Sequence, residues 1–135
     1  METTYYYMML SGVLTLALWL PYIVARLFVW GIPTFLNNYP ENFPVEQPEP
    51  PLWAQRAQRA HLNMVETMPA FIAVTIAATQ LLEPQALLET AQWAKMFFFA
   101  RIAYAIIYII GMPYFRTPVY LVSWFAILAI AFQII

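Results

Sequence analysis

The sequence predicts an all-α integral membrane protein in which four hydrophobic helices form an up-down bundle. Of its 135 residues, 63% are hydrophobic and 10% are charged, whereas a soluble domain is about 45–50% apolar and about 25% charged. A chain this short cannot bury so much apolar surface in a water-facing globule, so lipid must cover the excess. The apolar runs are long, and the alternating segments of about ten residues that build a membrane β-barrel are missing.

The first helix is expected at about residues 5–31, an apolar run that only Arg26 interrupts and that Pro21 is expected to kink. Six prolines follow between Ile32 and Leu52. Prolines at this density exclude helix and favour an extended, partly rigid connection. The sequence therefore predicts a non-helical first loop.

The other three helices are expected at about residues 53–82, 89–112 and 118–135. Their connections are short, and short connections make neighbouring helices antiparallel. A bilayer core of about 30 Å needs about 20 helical residues, which all four segments reach or approach. The sequence therefore predicts one domain over residues 1–135, with both termini on the same side of the membrane.

Basic residues set the expected orientation. The side that carries the first and third loops has Arg26, Arg56, Arg59 and Arg116, and the other side has only Lys95. By the positive-inside rule, these two loops are cytoplasmic and both termini lie outside. The compact chain, without a targeting extension, favours a bacterial inner membrane as its location.

Charged residues inside the predicted helices are the first candidates for function, because they are costly in a membrane. One face of the second helix carries Arg56, Arg59, Asn63 and Glu66. Arg101 lies near the middle of the third helix, and Glu66 is the only acid at a comparable depth. We therefore expect a buried ion pair between Glu66 and Arg101, which would join the two helices. Such pairs often specify packing and not chemistry.

Polar residues of the third and fourth helices complete the candidate site. They are Arg101, Tyr104 and Tyr108 on one face of the third helix, and Arg116 and Tyr120 at the start of the fourth. Arg116 and Tyr120 alone also fit a snorkelling arginine and an interfacial tyrosine. Together, these groups suit a small zwitterion with more negative than positive charge, since arginines bind carboxylates and Glu66 would bind an ammonium.

Several classes of chemistry lack the residues they need. One histidine and scattered acids do not form a metal site, so no metal is expected. The net charge of −1 argues against a nucleic-acid partner. The chain has no cysteine, so a ligand must supply any thiol that the chemistry uses.

The segment RAQRAHLNMVET, which starts at Arg56, resembles the signature of the MAPEG family, the membrane-associated proteins of eicosanoid and glutathione metabolism. Pro69 and Phe71 follow it, as in the family. The third-helix pattern of Arg101 with two tyrosines, and Arg116 with Thr117 and a later tyrosine, are also similar to family positions. The resemblance covers nearly the whole chain and is weakest before residue 52.

The resemblance implies a homotrimer that binds glutathione, as co-substrate, between neighbouring subunits. It assigns glutathione binding to Arg59, Asn63, Glu66, Tyr104, Tyr108 and Tyr120, and it places Arg116 at the thiol as the catalytic residue. The second substrate would be a lipophilic small molecule or lipid that enters from the surrounding membrane lipids. Leu62 stands where some members have an arginine and Tyr104 where some have a histidine, so the resemblance leaves the reaction itself open.

The function expected from these residues is a glutathione-dependent transferase or peroxidase, in which the thiolate attacks a lipophilic electrophile or hydroperoxide. A non-catalytic lipid-binding or scaffold protein of the same family is the alternative, and Arg116 favours the enzyme. A small multidrug exporter is a remote alternative. That class needs a membrane-embedded acid in its first helix, and residues 5–30 contain none.

Overall fold

The computed structural model describes residues 1–36 and 49–135, and every regular element in these ranges is an α-helix. The elements are α1 (Glu2–Trp30), α2 (Ile32–Leu36), α3 (Leu52–Leu81), α4 (Leu87–Ile110) and α5 (Arg116–Phe132). The four long helices pack as a bundle, and α1, α3 and α4 are long and apolar enough to cross a membrane. The predicted all-α four-helix membrane fold is confirmed.

Contacts at both ends of α1 show that α1 and α3 are antiparallel. Tyr5, near the start of α1, is hydrogen-bonded to Thr79 near the end of α3, with 2.9 Å between the oxygens. Arg26, near the end of α1, donates to the side chain of Gln58 near the start of α3 at 3.0 Å. Polar contacts therefore fix the register of these helices at both ends.

The next two helix pairs are also antiparallel. The ring of Phe71 on α3 stacks on that of Phe97 on α4 with 3.9 Å between centroids, and Asn63, earlier on α3, is hydrogen-bonded to Arg101, later on α4. Thr90, at the start of α4, donates to Gln133, just beyond α5, at 2.6 Å. The termini and the α3–α4 connection therefore lie at one end of the bundle, the terminal end. The starts of α3 and α5 and the end of α4 form the opposite end, which we call the polar end.

The short helix α2 corrects the expectation that the prolines exclude helix throughout the first loop. Pro33 lies in the first turn of α2, where its missing N–H breaks no helical hydrogen bond and its fixed φ suits a helix. Gly31, with a φ of 77°, ends α1 and allows the chain to turn into α2. The rest of the loop that was expected to be extended, residues 37–48, lies outside the described residues.

Small residues bring the helices close together at the polar end. Ala54, Ala57 and Ala60 on α3 are fully or almost fully buried, at intervals of three residues. Ala54 and Ala57 pack with Tyr22 and Ala25 of α1. Close packing of small side chains is a main source of helix association in membranes, where apolar burial alone contributes little.

The Phe71–Phe97 stack gives a test of the core. Replacing the buried Phe97 by alanine should lower the free energy of unfolding by about 3 kcal/mol, because it removes a ring and leaves a cavity. The matched control is Phe99→Ala, two residues along α4, where the side chain is 52% exposed and the expected loss is below about 1 kcal/mol. Unfolding in mixed detergent micelles measures both, and equal losses would contradict the packing described for α4.

Candidate functional site

The candidate residues line a groove at the polar end, between α3, α4 and α5. Its central part, the inner chamber, has a volume of about 310 Å³ and is lined by Arg59, Asn63, Tyr104, Tyr108, Arg116, Thr117 and Tyr120. Six of these residues were predicted as glutathione-binding or catalytic. Glu66 is the one predicted ligand residue that does not line this chamber.

Helical spacing explains why these side chains meet. Each helix contributes a pair four residues apart, and such pairs lie on one helix face. The pairs are Arg59 with Asn63, Tyr104 with Tyr108, and Arg116 with Tyr120. Because successive helices are antiparallel, the first half of α3, the last part of α4 and the first turns of α5 lie side by side at the polar end.

Arg101 does not line the inner chamber, but it contacts residues that do and is only 1% exposed. Its Nη2 donates to Oδ1 of Asn63 at 2.6 Å, and its Nε donates to Sδ of Met64 at 3.2 Å. Its Nη1 has no hydrogen-bond partner among the described residues. Because Arg101 occupies the amide oxygen of Asn63, the amide NH₂ group of Asn63 remains as the donor for a guest.

Two tyrosine rings stabilise the buried guanidinium of Arg101. Its Cζ lies 4.7 Å from the ring centroid of Tyr104 and 5.6 Å from that of Tyr120. A cation within about 6 Å of an aromatic face is attracted by the ring quadrupole, and more strongly when it is desolvated. Arg101 therefore contacts one chamber residue from each of the three helices.

The structure does not bring Glu66 and Arg101 together as the expected ion pair within this chain. Arg101 binds Asn63 instead, and Glu66 is exposed and makes no ion pair among the residues that the structure describes. Asn63 and Glu66 differ by three residues, or about 60° around a helix of 3.6 residues per turn. That angle is enough for Asn63 to face α4 while Glu66 faces outward.

Glu66 lines a second, adjoining part of the groove, the lateral chamber, with a volume of about 330 Å³. Its other walls come from Thr67 and Ala70 of α3 and from Tyr120, Trp124, Ile127 and Leu128 of α5. Tyr120 also lines the inner chamber, so the two chambers adjoin there. A carboxylate therefore stands at the boundary between a polar chamber and an apolar wall.

A third part of the groove, the outer chamber, has a volume of about 610 Å³ at the end of the bundle. Its lining includes Arg56, Arg59, Arg116, Gln55 and residues 111–114 of the α4–α5 connection. The spacing predicts Arg56 on the polar face of α3 but no binding role for it, and the sequence does not predict the contribution of the connection. Gly111 and Pro113 are the sequence signals for a turn there.

The guanidinium groups of Arg59 and Arg116 are not occupied by hydrogen bonds to other described residues. Both side chains are exposed, and neither makes a hydrogen bond or ion pair there. The Cζ of Arg116 lies 5.4 Å from the ring centroid of Tyr108, which restrains the side chain without occupying its N–H groups. Both arginines can therefore bind an anionic guest.

Residues 1–36 and 49–135 contain no group of three His, Asp or Glu side chains that could hold a metal ion. His61 lies away from the groove, with its Nδ1 2.9 Å from the hydroxyl of Tyr22 on α1.

The fold and the groove define a small membrane protein that can hold a polar guest at one end of its helix bundle. The model of the MAPEG family matches residues 4–135, and the chain belongs to that family. It is therefore an integral, multi-pass membrane protein, as the sequence predicted. No curated protein and no solved structure matches the chain.

A double-mutant cycle tests whether Arg101 pairs with Asn63. Combining Asn63→Ala with Arg101→Met should reveal a coupling of about 1.5–3 kcal/mol in the free energy of unfolding, the value of a hydrogen bond to a charged group. The control cycle combines Glu66→Gln with Arg101→Met, and its effects should add to within about 0.5 kcal/mol. A larger coupling to Glu66 than to Asn63 would restore the ion pair and overturn the pairing of Arg101 with Asn63.

Proposed function

We propose that the protein is a membrane-bound glutathione-dependent transferase or peroxidase that acts on lipophilic electrophiles or hydroperoxides. The observation that carries this proposal is the inner chamber, in which Arg116 and Arg59 stand beside Asn63 and three phenols. Glutathione has two carboxylates, one ammonium and one thiol at neutral pH. Family membership supports glutathione as the guest.

The residues of the inner and lateral chambers suit the charges of glutathione. The exposed Glu66 accepts the ammonium of the γ-glutamyl group, and the NH₂ group of Asn63, one turn away, donates to the adjoining carboxylate. Arg59, four residues before Asn63, adds a charge-assisted hydrogen bond to the same end of the ligand. The phenols of Tyr104, Tyr108 and Tyr120 can each donate or accept along its peptide groups.

Arg116 is the residue that activates the thiol. A nearby arginine favours the thiolate over the thiol, and the thiolate is the nucleophile. In conjugation, the thiolate sulfur forms a bond to an electrophilic carbon of the second substrate, and the bond to the leaving group breaks as that group takes its electron pair. In peroxide reduction, the thiolate attacks the outer oxygen of the hydroperoxide. The products are the sulfenic acid of glutathione and an alkoxide that takes a proton, and a second glutathione then gives the disulfide and water.

The lateral chamber suits the lipophilic partner of this reaction. Trp124, Ile127 and Leu128 provide an apolar wall on α5 beside Tyr120, which also lines the thiol-binding chamber. A substrate dissolved in the bilayer reaches this wall without crossing water. The arrangement supports reaction at the boundary between the polar groove and the lipid.

The proposal includes a homotrimer with glutathione between neighbouring subunits, and an orientation with the polar end in the cytoplasm. The exposed Arg59 and Glu66 support the shared site, because a neighbouring subunit could cover them. The polar end also carries most of the arginines, and the positive-inside rule places such an end in the cytoplasm. Glutathione would then enter from the cytoplasm and the second substrate from the membrane.

The thiolate itself gives the test of this function. Glutathione added to the detergent-purified protein near pH 7 should bind by calorimetry and give ultraviolet thiolate absorbance. In Arg116→Gln the thiolate should appear only as the pH approaches about 8.5, the pKa of a free thiol. Turnover in this variant should fall by about 10²-fold, which is the effect of losing one hydrogen-bond donor to the transition state. Lys95→Gln, at the terminal end, is the control and should behave as the wild type.

Each other outcome removes a part of the proposal. Binding with unchanged thiolate absorbance in Arg116→Gln would show that Arg116 does not activate the thiol. Binding without any thiolate in the wild type would favour a non-catalytic member of the family. Absence of binding at millimolar glutathione would refute the glutathione-dependent function and leave a lipid-binding or scaffold role.

A further inference from the structure

A mostly apolar groove between α4 and α5, the α4–α5 groove, lies on a surface that the proposed function does not use. Its volume is about 440 Å³. Its apolar lining consists of Met96, Phe99, Ala100 and Ala103 of α4 and of Val119 and Val122 of α5. None of these residues lines the outer, lateral or inner chamber. The α4–α5 groove is therefore separate from the polar groove.

Small side chains alternate with large ones along the α4 side of this groove. Ala100 and Ala103 lie three residues apart, on the same face of the helix. Met96 and Phe99 are 45% and 52% exposed, so much of their apolar surface is left for something outside the bundle to cover. For an integral membrane protein, that cover is lipid or another protein chain.

The only lysine of the chain lies in the same groove. Lys95 lines it together with Gln92, one turn earlier on α4. The side chain of Lys95 is exposed and makes no hydrogen bond or ion pair with the described residues. The nearest acid along α4 is Glu89, which accepts a hydrogen bond from Nε1 of Trp93 at 3.3 Å. Lys95 is therefore a cation without a counter-ion in the described chain.

The depth of Lys95 places its ammonium at the level of lipid headgroups. The 24 residues of α4 span about 36 Å, so a centred helix extends about 3 Å beyond a core of about 30 Å at each end. Lys95 lies eight residues after Leu87, or about 12 Å along the helix, and its backbone is thus about 9 Å inside the core. Its side chain leans toward the start of α4, and its four-carbon stem lets the ammonium reach the headgroups.

The length of the groove matches one acyl chain of the same lipid leaflet. Lys95 and Ala103 are eight residues apart, or about 12 Å along α4, and half of the bilayer core is about 15 Å. A phospholipid whose headgroup lies at Lys95 can therefore place one chain along the groove. An anionic phospholipid also supplies the counter-ion that Lys95 lacks, and a charge at this depth needs such a partner.

We propose that the α4–α5 groove binds one anionic phospholipid of the leaflet at the terminal end, with its phosphate at Lys95 and one acyl chain over Ala100 and Ala103. The NH₂ group of Gln92 adds a hydrogen-bond donor for the headgroup. This proposal does not depend on glutathione. Because the groove shares no lining residue with the inner chamber, loss of the lipid in Lys95→Gln leaves the thiolate signal in detergent unchanged.

The charge of the headgroup gives the first test. Native mass spectrometry of the full chain in detergent counts bound lipid after addition of phosphatidylglycerol or of phosphatidylcholine with the same acyl chains. The wild type should bind phosphatidylglycerol about fivefold more tightly, the effect of one basic residue near an anionic lipid surface. Lys95→Gln should remove this preference, and Lys95→Arg should keep it.

The groove itself gives the second test in the same experiment. Ala103→Phe places a ring where the acyl chain would lie and should weaken the binding of both phospholipids. The matched control is Ile106→Phe, three residues further along α4, where the side chain is 53% exposed and lies outside the groove. This control should bind both phospholipids as the wild type does.

Several results would overturn the proposal. Equal binding of the two phospholipids by the wild type, or a full preference in Lys95→Gln, would show that Lys95 does not bind the headgroup. Unchanged binding in Ala103→Phe would exclude the groove. Displacement of phosphatidylglycerol by an equal concentration of palmitate would identify a fatty acid as the occupant, and dissociation of an oligomer by Ala103→Phe would identify a second copy of the chain. The comparison on the wild type holds even if a variant fails to fold.

Discussion

The buried guanidinium of Arg101 is the constraint on which the polar groove depends. A charge near the middle of a membrane helix is costly unless it is well compensated. Here the compensation comes from the amide of Asn63 on α3 and from two aromatic faces on α4 and α5. Because no carboxylate among the described residues pairs with Arg101, Glu66 remains available to a guest in the groove.

This arrangement divides the groove into three adjoining chambers. The outer chamber lies at the end of the bundle, the inner chamber is lined by residues that contact Arg101, and the lateral chamber has an apolar wall on α5. Neighbouring chambers share lining residues. The proposed polar co-substrate and lipophilic substrate would therefore approach the same place by different routes. The antiparallel packing of the long helices makes this possible, since it gathers three helix ends at the polar end.

Much of the fold and most of the site could be predicted from local sequence patterns. Apolar runs of membrane length identified the four long helices, and the spacing of Arg59, Asn63, Tyr104 and Tyr108 placed them on shared faces. The outward position of Glu66 has a simple physical origin. Depth in the membrane follows from counting residues, but the direction of a side chain differs by about 60° between positions three apart, and only helix packing decides which position faces α4.

Two further features depend on backbone conformation that periodicity does not encode. The helix α2 forms although it contains Pro33, because that proline falls in the first turn. The position of Arg56 depends on the left-handed turn at Gly111, 55 residues further along the chain. Neither feature leaves a pattern in hydropathy or charge spacing, so both required the three-dimensional structure.

The most direct test of this account is an experimental structure of the protein with glutathione bound, at a resolution that shows side chains. The account predicts that the sulfur lies beside the guanidinium of Arg116, and that Asn63 contacts both Arg101 and the ligand. Glutathione bound outside the groove, or Arg101 paired with Glu66 beneath an empty chamber, would contradict it.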